Sequence, residues 1–315
     1  MTRARELLVY HPEPGEAQAY ARLIPRRRGL RVHVCVTPAQ AAPVIGRAEI
    51  LYSWSFPAAL LARARRLRWL QNMGAGVERV LVPELPARVK VTRAAGIFGP
   101  WMAEYTLGWC LWTTQRMETF RRQQRQRRWR PVDPRRLHGQ TLCVVGLGDI
   151  GRTIAGAASA LGMTVTGVSR TGRRVPAVGS VYRTGARRRG LARADFVALT
   201  VPLTPDTRGL IGARELRAMK PTAWLLNIAR GPVVDDPALL QALRARRLAG
   251  AILDVFDTEP LPARHPLWGL DNVVITPHIS GPSVPDEIAP IFRDNLRRYL
   301  AGRPLKHLVD RRRGY

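Results

Sequence analysis

The chain predicts an α/β protein built on two doubly wound parallel sheets. Short apolar runs that do not alternate, such as Leu142-Cys143-Val144-Val145, recur between helical segments, which suits strands buried on both faces. Gly146, Gly148 and Gly151 follow that run in G-x-G-x-x-G spacing and open a helix. At 315 residues the chain is too long for one ordinary core, and its 46% hydrophobic residues suffice for two.

Before residue 99, strands are expected at Glu6–Tyr10, Leu30–Val36, Glu49–Ser53, Leu67–Met73 and Val89–Arg93. Helices are expected near Gly15–Ile24, Pro38–Gly46, Pro57–Ala64 and Val77–Leu81. Such repeated βα units imply a flavodoxin-like parallel sheet. The turn Asn72-Met73-Gly74-Ala75-Gly76-Val77-Glu78 carries two glycines. Its amides could bind a carboxylate, or the turn could be only a tight connection.

Gly96-Ile97-Phe98-Gly99-Pro100 punctuates the chain, and Pro100 can open a helix as its first residue. Trp101–Gln115 then shows a long apolar face that continues toward an arginine block, which suits an interdomain core or the seam of a homodimer. After Pro131-Val132-Asp133-Pro134 comes a strand, glycine turn, helix (Ile150–Leu161) and strand (Met163–Val168), the opening of a Rossmann-type dinucleotide-binding domain. Further strands are expected at Asp195–Val201, Ala223–Ile228, Ala251–Phe256 and Val273–Thr276, with helices at Ala213–Met219 and Pro237–Leu248. A last helix, Val284–Leu300, follows the Gly281-Pro282 break and is expected to return to the first domain. The organisation is therefore a discontinuous substrate domain, 1–98 with 281–315, around a nucleotide-binding domain, 99–280.

The glycine turn assigns a dinucleotide. Gly146 permits the tight turn, Gly148 lets a pyrophosphate approach the backbone, and Gly151 lets the helix pack on the strand, with Leu147, Asp149 and Ile150 between them. Helix amides and dipole there favour the phosphates. The second strand ends in Ser169-Arg170-Thr171, followed by Arg173, where an NAD site usually places an acid. Hydroxyls and a guanidinium suit a 2′-phosphate, so NADP(H) is expected in preference to NAD(H). Ligands of open parallel sheets lie beyond the carboxyl ends of the strands. Those positions hold Val201-Pro202, Ala229-Arg230-Gly231, Asp254 and His278.

The net charge of +28 would ordinarily suggest nucleic acid. Lysine occurs only at Lys90, Lys220 and Lys306, however, so the charge is an arginine skew spread along the chain rather than a patch. The one dense block, Arg121 to Arg130 with Trp129 in it, reads as a solvated helix end, and a nucleic-acid partner is not expected. Cys35, Cys110 and Cys143 lie singly in apolar segments without metal-ligand spacing and read as reduced core residues. No apolar run reaches the length of a membrane span, and no signal-peptide core is seen at the start, so a cytoplasmic protein is expected.

Gly146–Gly151, Asn227-Ile228-Ala229-Arg230-Gly231, Leu253–Pro260 and Thr276-Pro277-His278-Ile279-Ser280-Gly281 resemble the four signatures of the D-isomer-specific 2-hydroxyacid dehydrogenases. Gly74-Ala75-Gly76-Val77 is similar to that family's substrate loop. The Ser-Arg-Thr turn and Trp101–Tyr105 resemble the glyoxylate/hydroxypyruvate reductase branch. The resemblance implies reduction of small 2-keto acids to D-2-hydroxy acids, with His278 as proton donor, Glu259 as its partner and Arg230 gripping the substrate carboxylate through a planar fork. Glu259 alone could equally be a loop-closing residue. The amides of Ala75, Gly76 and Val77 would hold the carboxylate from the other domain, and Trp54, Trp101 and Trp129 would shape the side-chain pocket. Asp254 would accept a hydrogen bond from the nicotinamide carboxamide, and Ile228, Ala229 and Ser280 complete the cofactor-contacting set. A dehydrogenase-like protein that senses NAD(P) without turnover is the alternative.

Overall fold

A computed structural model describes residues 4–315; the first three residues of the expected 1–98 segment lie outside them. The chain forms two compact units, one ending at Ile97 and resuming at Ser283, the other running from Phe98 to Pro282.

The first unit opens with β1 (Arg5–Tyr10), α1 (Pro14–Arg22), β2 (Leu30–Cys35), α2 (Pro38–Ile45), β3 (Ile50–Ser53), α3 (Ala58–Leu61), β4 (Trp69–Asn72) and β5 (Lys90–Thr92). These strands pair in parallel in the order β2-β1-β3-β4-β5, the flavodoxin-like order. The strands β3 and β4 are buried at every residue, and their polar carboxyl ends, Ser53, Gln71 and Asn72, are buried as well. Helix α2 starts where its caps dictate. Thr37 Oγ1 accepts from Gln40 N, Gln40 Oε1 accepts from Thr37 N, and Pro38 occupies the first turn.

The helix expected at Val77–Leu81 is a correction: the segment is a single turn, in which Val80 N and Leu81 N both donate to Val77 O. Gly76 offers no capping side chain, and Pro83 disfavours helical geometry at Val82, so nothing propagates the turn.

The second unit contains α4 (Phe98–Thr114), α5 (Met117–Arg125), β6 (Thr141–Val145), α6 (Asp149–Ala160), β7 (Thr164–Ser169), β8 (Ser180–Arg183) and α7 (Arg187–Leu191). It continues through β9 (Phe196–Leu199), α8 (Ala213–Ala218), β10 (Trp224–Asn227), α9 (Asp236–Arg244), β11 (Gly250–Leu253) and β12 (Val273–Ile275). Its seven strands are all parallel, ordered β12-β11-β10-β9-β6-β7-β8, so the sheet switches direction between β6 and β9. Helix α4 presses on α6 so closely that a Cβ at Gly99 would stand 2.5 Å from Thr153 Oγ1. An aromatic ladder, Tyr105–Trp109–Trp112–Trp224, ties the same helix to β10.

Two features of this unit differ from expectation. Helix α4 starts before Trp101 and does not continue into the arginine block; it stops at Arg116, whose φ of 57° is left-handed, and restarts as α5. Strand β8 and helix α7 went unforeseen, because the edge strand Ser-Val-Tyr-Arg is half exposed and has no apolar run.

The chain ends in α10 (Pro285–Leu300), within the first unit. Phe292 stacks on Tyr52 at 4.0 Å and on Trp69 at 5.4 Å, and Asn295 Nδ2 donates to the buried Gln71 Oε1. Among the described residues no helix is long and apolar enough to cross a membrane.

Candidate active site

At the carboxyl end of β6 the three glycines have separate steric reasons. Gly146 has φ +107°, and a Cβ there would meet the backbone of Thr200 and Val201 at 2.9 Å. A Cβ at Gly151 would lie 1.9 Å from Gly146 O, so α6 can approach β6 only as glycine. Gly148 faces open space, with no heavy atom within 4 Å of where a Cβ would be. The turn therefore closes on itself on one side and leaves room on the other, beside the amino end of α6, where a pyrophosphate fits. Strand β7 ends in a turn in which Ser169 Oγ accepts from Gly172 N at 3.1 Å, while Arg170 and Arg173 are exposed. No carboxylate lies between Ser169 and Arg174.

The exits of β10, β11 and β12 are bound together. After β10, the buried Asn227 clamps the turn, accepting from Ala229 N and donating to Arg230 O at 3.0 Å. Arg230 Nη1 donates to Ala229 O. A Cβ at Gly231 would sit 2.0 Å from the carbonyl carbon of Phe256, so this turn and the segment after β11 touch backbone to backbone. Phe256 N then donates to Glu259 Oε1, and Glu259 Oε2 pairs with His278 Nδ1 at 2.9 Å. Glu259 is thus both loop-closing residue and histidine partner, the two roles left open by the sequence.

His278 itself stands at φ 55°, a left-handed conformation that costs a non-glycine residue about 1–3 kcal/mol. The conformation is held by Asp254. Its carboxylate, fully buried, accepts from Thr276 Oγ1 at 2.5 Å, Ile279 N at 2.9 Å and Ser280 N at 2.9 Å, so that it fastens the loop on both sides of the histidine. Its backbone carbonyl takes His278 N as well. In this structure the Asp254 carboxylate serves to fasten the loop that carries His278.

The sequence reading also missed Thr276 and Tyr105 as site residues. Tyr105 OH lies 2.6 Å from Thr276 Oγ1. The Thr276 proton is committed to Asp254, so the tyrosine must be the donor. Burial pushes the Tyr105 phenol up to about 12, which keeps that proton in place.

Within the first unit, Asn72 Nδ2 donates to Gly74 O at 3.0 Å and Gly76 O at 2.7 Å. The carbonyls are drawn to Asn72, and the amides of Ala75, Gly76 and Val77 have no acceptor among the described residues. Three consecutive amides are thus left without a protein acceptor. Trp54 packs on this loop so tightly that a Cβ at Gly74 would overlap its ring at 2.4 Å. Trp129 is 99% exposed, so it lines no pocket among the described residues of this chain. Val201 and Pro202 follow β9, with Pro202 O taking the Thr207 hydroxyl, and Ile228 is buried beneath the β10 turn.

Residues 107–280 match the family model described as "D-isomer specific 2-hydroxyacid dehydrogenase, NAD binding domain". The chain is 33% identical over 275 residues to glyoxylate/hydroxypyruvate reductase A of Serratia proteamaculans, covering 85% of this chain and 88% of that one. Among solved structures it is similar to a D-isomer specific 2-hydroxyacid dehydrogenase of Xanthobacter autotrophicus in complex with NADPH and MES, with a TM-score of 0.86, 35% identity and 100% of both chains covered. It is also similar to an NADPH-dependent glyoxylate/hydroxypyruvate reductase of Sinorhizobium meliloti in complex with NADP and sulfate, with a TM-score of 0.91, 28% identity and 99% and 100% covered.

Proposed function

This chain belongs to the D-isomer specific 2-hydroxyacid dehydrogenase family, an NAD(P)-dependent group of oxidoreductases, and from that premise we propose that it reduces glyoxylate or hydroxypyruvate with NADPH. The observation that carries the reading is the His278–Glu259 pair held at the exit of the nucleotide-binding sheet by Asp254.

We assign the second unit to the cofactor and the first to the substrate. Gly146, Leu147, Gly148, Asp149, Ile150 and Gly151 hold the pyrophosphate, and Ser169, Arg170, Thr171 and Arg173 the 2′-phosphate, for which Arg supplies a planar fork. When bound, the reduced nicotinamide supplies the hydride. Arg230 grips the substrate carboxylate through its planar fork; in the first unit the amides of Ala75, Gly76 and Val77 serve as substrate-binding groups, with Trp54 packed on their loop. His278 Nδ1 is engaged by Glu259, so Nε2 is the nitrogen that hands a proton to the keto oxygen. Val201, Pro202, Ile228, Ala229 and Ser280 line the cofactor's path with backbone rather than charge.

The preference for NADPH rests on the missing acid after β7, and the two NADP(H)-bound relatives support it. Trp101, Leu111, Met117 and Phe120, each at least 36% exposed along α4 and α5, suit the seam of a homodimer. Three buried, unpaired cysteines agree with a reducing, cytoplasmic setting.

A steady-state panel of glyoxylate, hydroxypyruvate, pyruvate and phenylpyruvate with each reduced cofactor tests the proposal. Turnover should favour the first two with NADPH, and absence of turnover with all four would overturn it. His278→Ala should abolish turnover while sparing NADPH binding.

A further inference from the structure

The amino ends of the second unit's strands carry a site that the reductase reading leaves unused. A cavity of about 60 Å³ opens there, lined by Thr113, Thr114, Arg116, Arg135, Gln140, Asp195, Phe196, Thr222 and Trp224. Gln140 and Asp195 immediately precede β6 and β9, and Thr222 lies two residues before β10, whereas the glycine turn and Arg230 follow β6 and β10. The cavity therefore lies across the sheet from the nucleotide turn.

Its charge is unbalanced. Asp195 is the one acid in the lining, and it is spent, with Oδ1 on Lys220 Nζ at 2.8 Å and Oδ2 on Thr141 N at 2.8 Å. Neither Arg116 nor Arg135 forms an ion pair among the described residues. Arg116 is more exposed to penalty still: its Nε is buried and has no hydrogen-bond partner. A buried donor left unmade is destabilising, and more so when it carries charge. Two unpaired guanidiniums around one small polar cavity also repel each other, in a chain whose net charge is already +28. An anion in the cavity would relieve both costs.

We propose that this cavity is a binding site for a small tetrahedral oxyanion of phosphate-like chemistry, gripped by Arg116 and Arg135. The volume suits that ligand, being about the space of two waters, too small for a nucleotide base and large enough for one phosphoryl group. The phosphoryl group can be free phosphate or the head of a larger monoester whose remainder stays in solvent. Because the site is on the far edge of the sheet from the nucleotide turn, occupancy does not compete with NADP. It fastens the α4–α5 junction at Arg116, so the readout is stability.

The test is a titration of the NADP-saturated protein with inorganic phosphate and, separately, with phenyl phosphate, at ionic strength held constant with chloride. Thermal midpoints and ³¹P line widths are recorded for wild type, Arg116→Asn/Arg135→Gln and, as a charge-matched control on α5, Arg121→Gln/Arg122→Gln. Asparagine is chosen because it tolerates the left-handed backbone at 116. Wild type and control should show the same saturable rise, and the half-saturating concentration should increase roughly tenfold or more when the pair is removed. Saturation by phosphate alone identifies the free ion as the ligand, and saturation by both identifies a monoester head. If the double variant does not fold, the exposed Arg135→Gln alone should show the weakening. An unsaturable response, or one equal in all proteins, would overturn the site.

Discussion

Replacing Asp254 with asparagine separates the role the structure gives this residue from the one its motif suggests. The carboxylate accepts three donors, Thr276 Oγ1 and the amides of Ile279 and Ser280, and it is fully buried. Asparagine has one acceptor oxygen, so if that oxygen keeps Thr276 and Ile279, its amide group meets the Ser280 N–H donor to donor. The variant loses one charge-assisted bond of about 1.5–3 kcal/mol and leaves buried donors unmade at about 1–3 kcal/mol, a net cost of about 3–5 kcal/mol. For a unit of this size that lowers the melting temperature by roughly 6–20 °C. Release of the loop also lets the His278 ring wander, and a misplacement of about 1 Å reduces kcat on the order of 10²-fold. The assays are calorimetry, hydrogen exchange at the amides of 279 and 280, and NADPH affinity. Stability should fall and those amides lose protection, while NADPH affinity holds within a few-fold. The reasoning is refuted if stability and protection stay at wild-type levels while NADPH binding weakens, because the carboxylate would then be serving the carboxamide after all.

Three other perturbations follow from local geometry. Gly151→Ala forces a Cβ to within 1.9 Å of Gly146 O, so α6 must lift from β6; NADPH binding should be lost and the unit destabilised by about 3 kcal/mol, read by calorimetric titration and melting. Arg170→Asp places an acid at the end of β7, and the ratio of kcat/KM for NADH over NADPH should rise by an order of magnitude or more, with an unchanged ratio counting against the 2′-phosphate assignment. For Glu6, burial opposes ionisation, but the hydrogen bond and charge of His33, with Arg31 and Arg47, outweigh it and lower its pKa. A depressed folded-state value means stabilisation that is present above the unfolded pKa and lost as pH falls through the folded one. Glu6→Gln should therefore melt lower than wild type at pH 7, and the two curves should converge in acid below about pH 4.

What was legible in the sequence was what short-range physics decides. Strands buried on both faces announce themselves as apolar runs, and Gly146 and Gly151 occupy positions that no side chain could, so spacing alone located the turn. The half-exposed β8 carries no such run, and the break at Arg116 has no glycine to mark it, because tertiary packing rather than local preference holds that residue left-handed. The site divides the same way. His278, Arg230 and Glu259 sit in motifs, but Tyr105 reaches Thr276 across 171 residues, and no pattern along the chain connects a helix face to a loop that far away.

That long-range clamp explains why a strained backbone can persist at the histidine. A left-handed non-glycine residue relaxes unless its surroundings over-determine it. Here the ring is held by Glu259, the flanking amides by Asp254, and Thr276 by both Asp254 and Tyr105, so each way of relaxing His278 breaks a hydrogen bond. Tyr105→Phe tests how far this extends. Thr276 can still donate to Asp254 without the phenol, so the loss should be about 1 kcal/mol of stability, with a few-fold fall in kcat and little change in KM. A fall in kcat as large as that for Asp254→Asn would mean that the tyrosine acts on the histidine by a route other than Thr276.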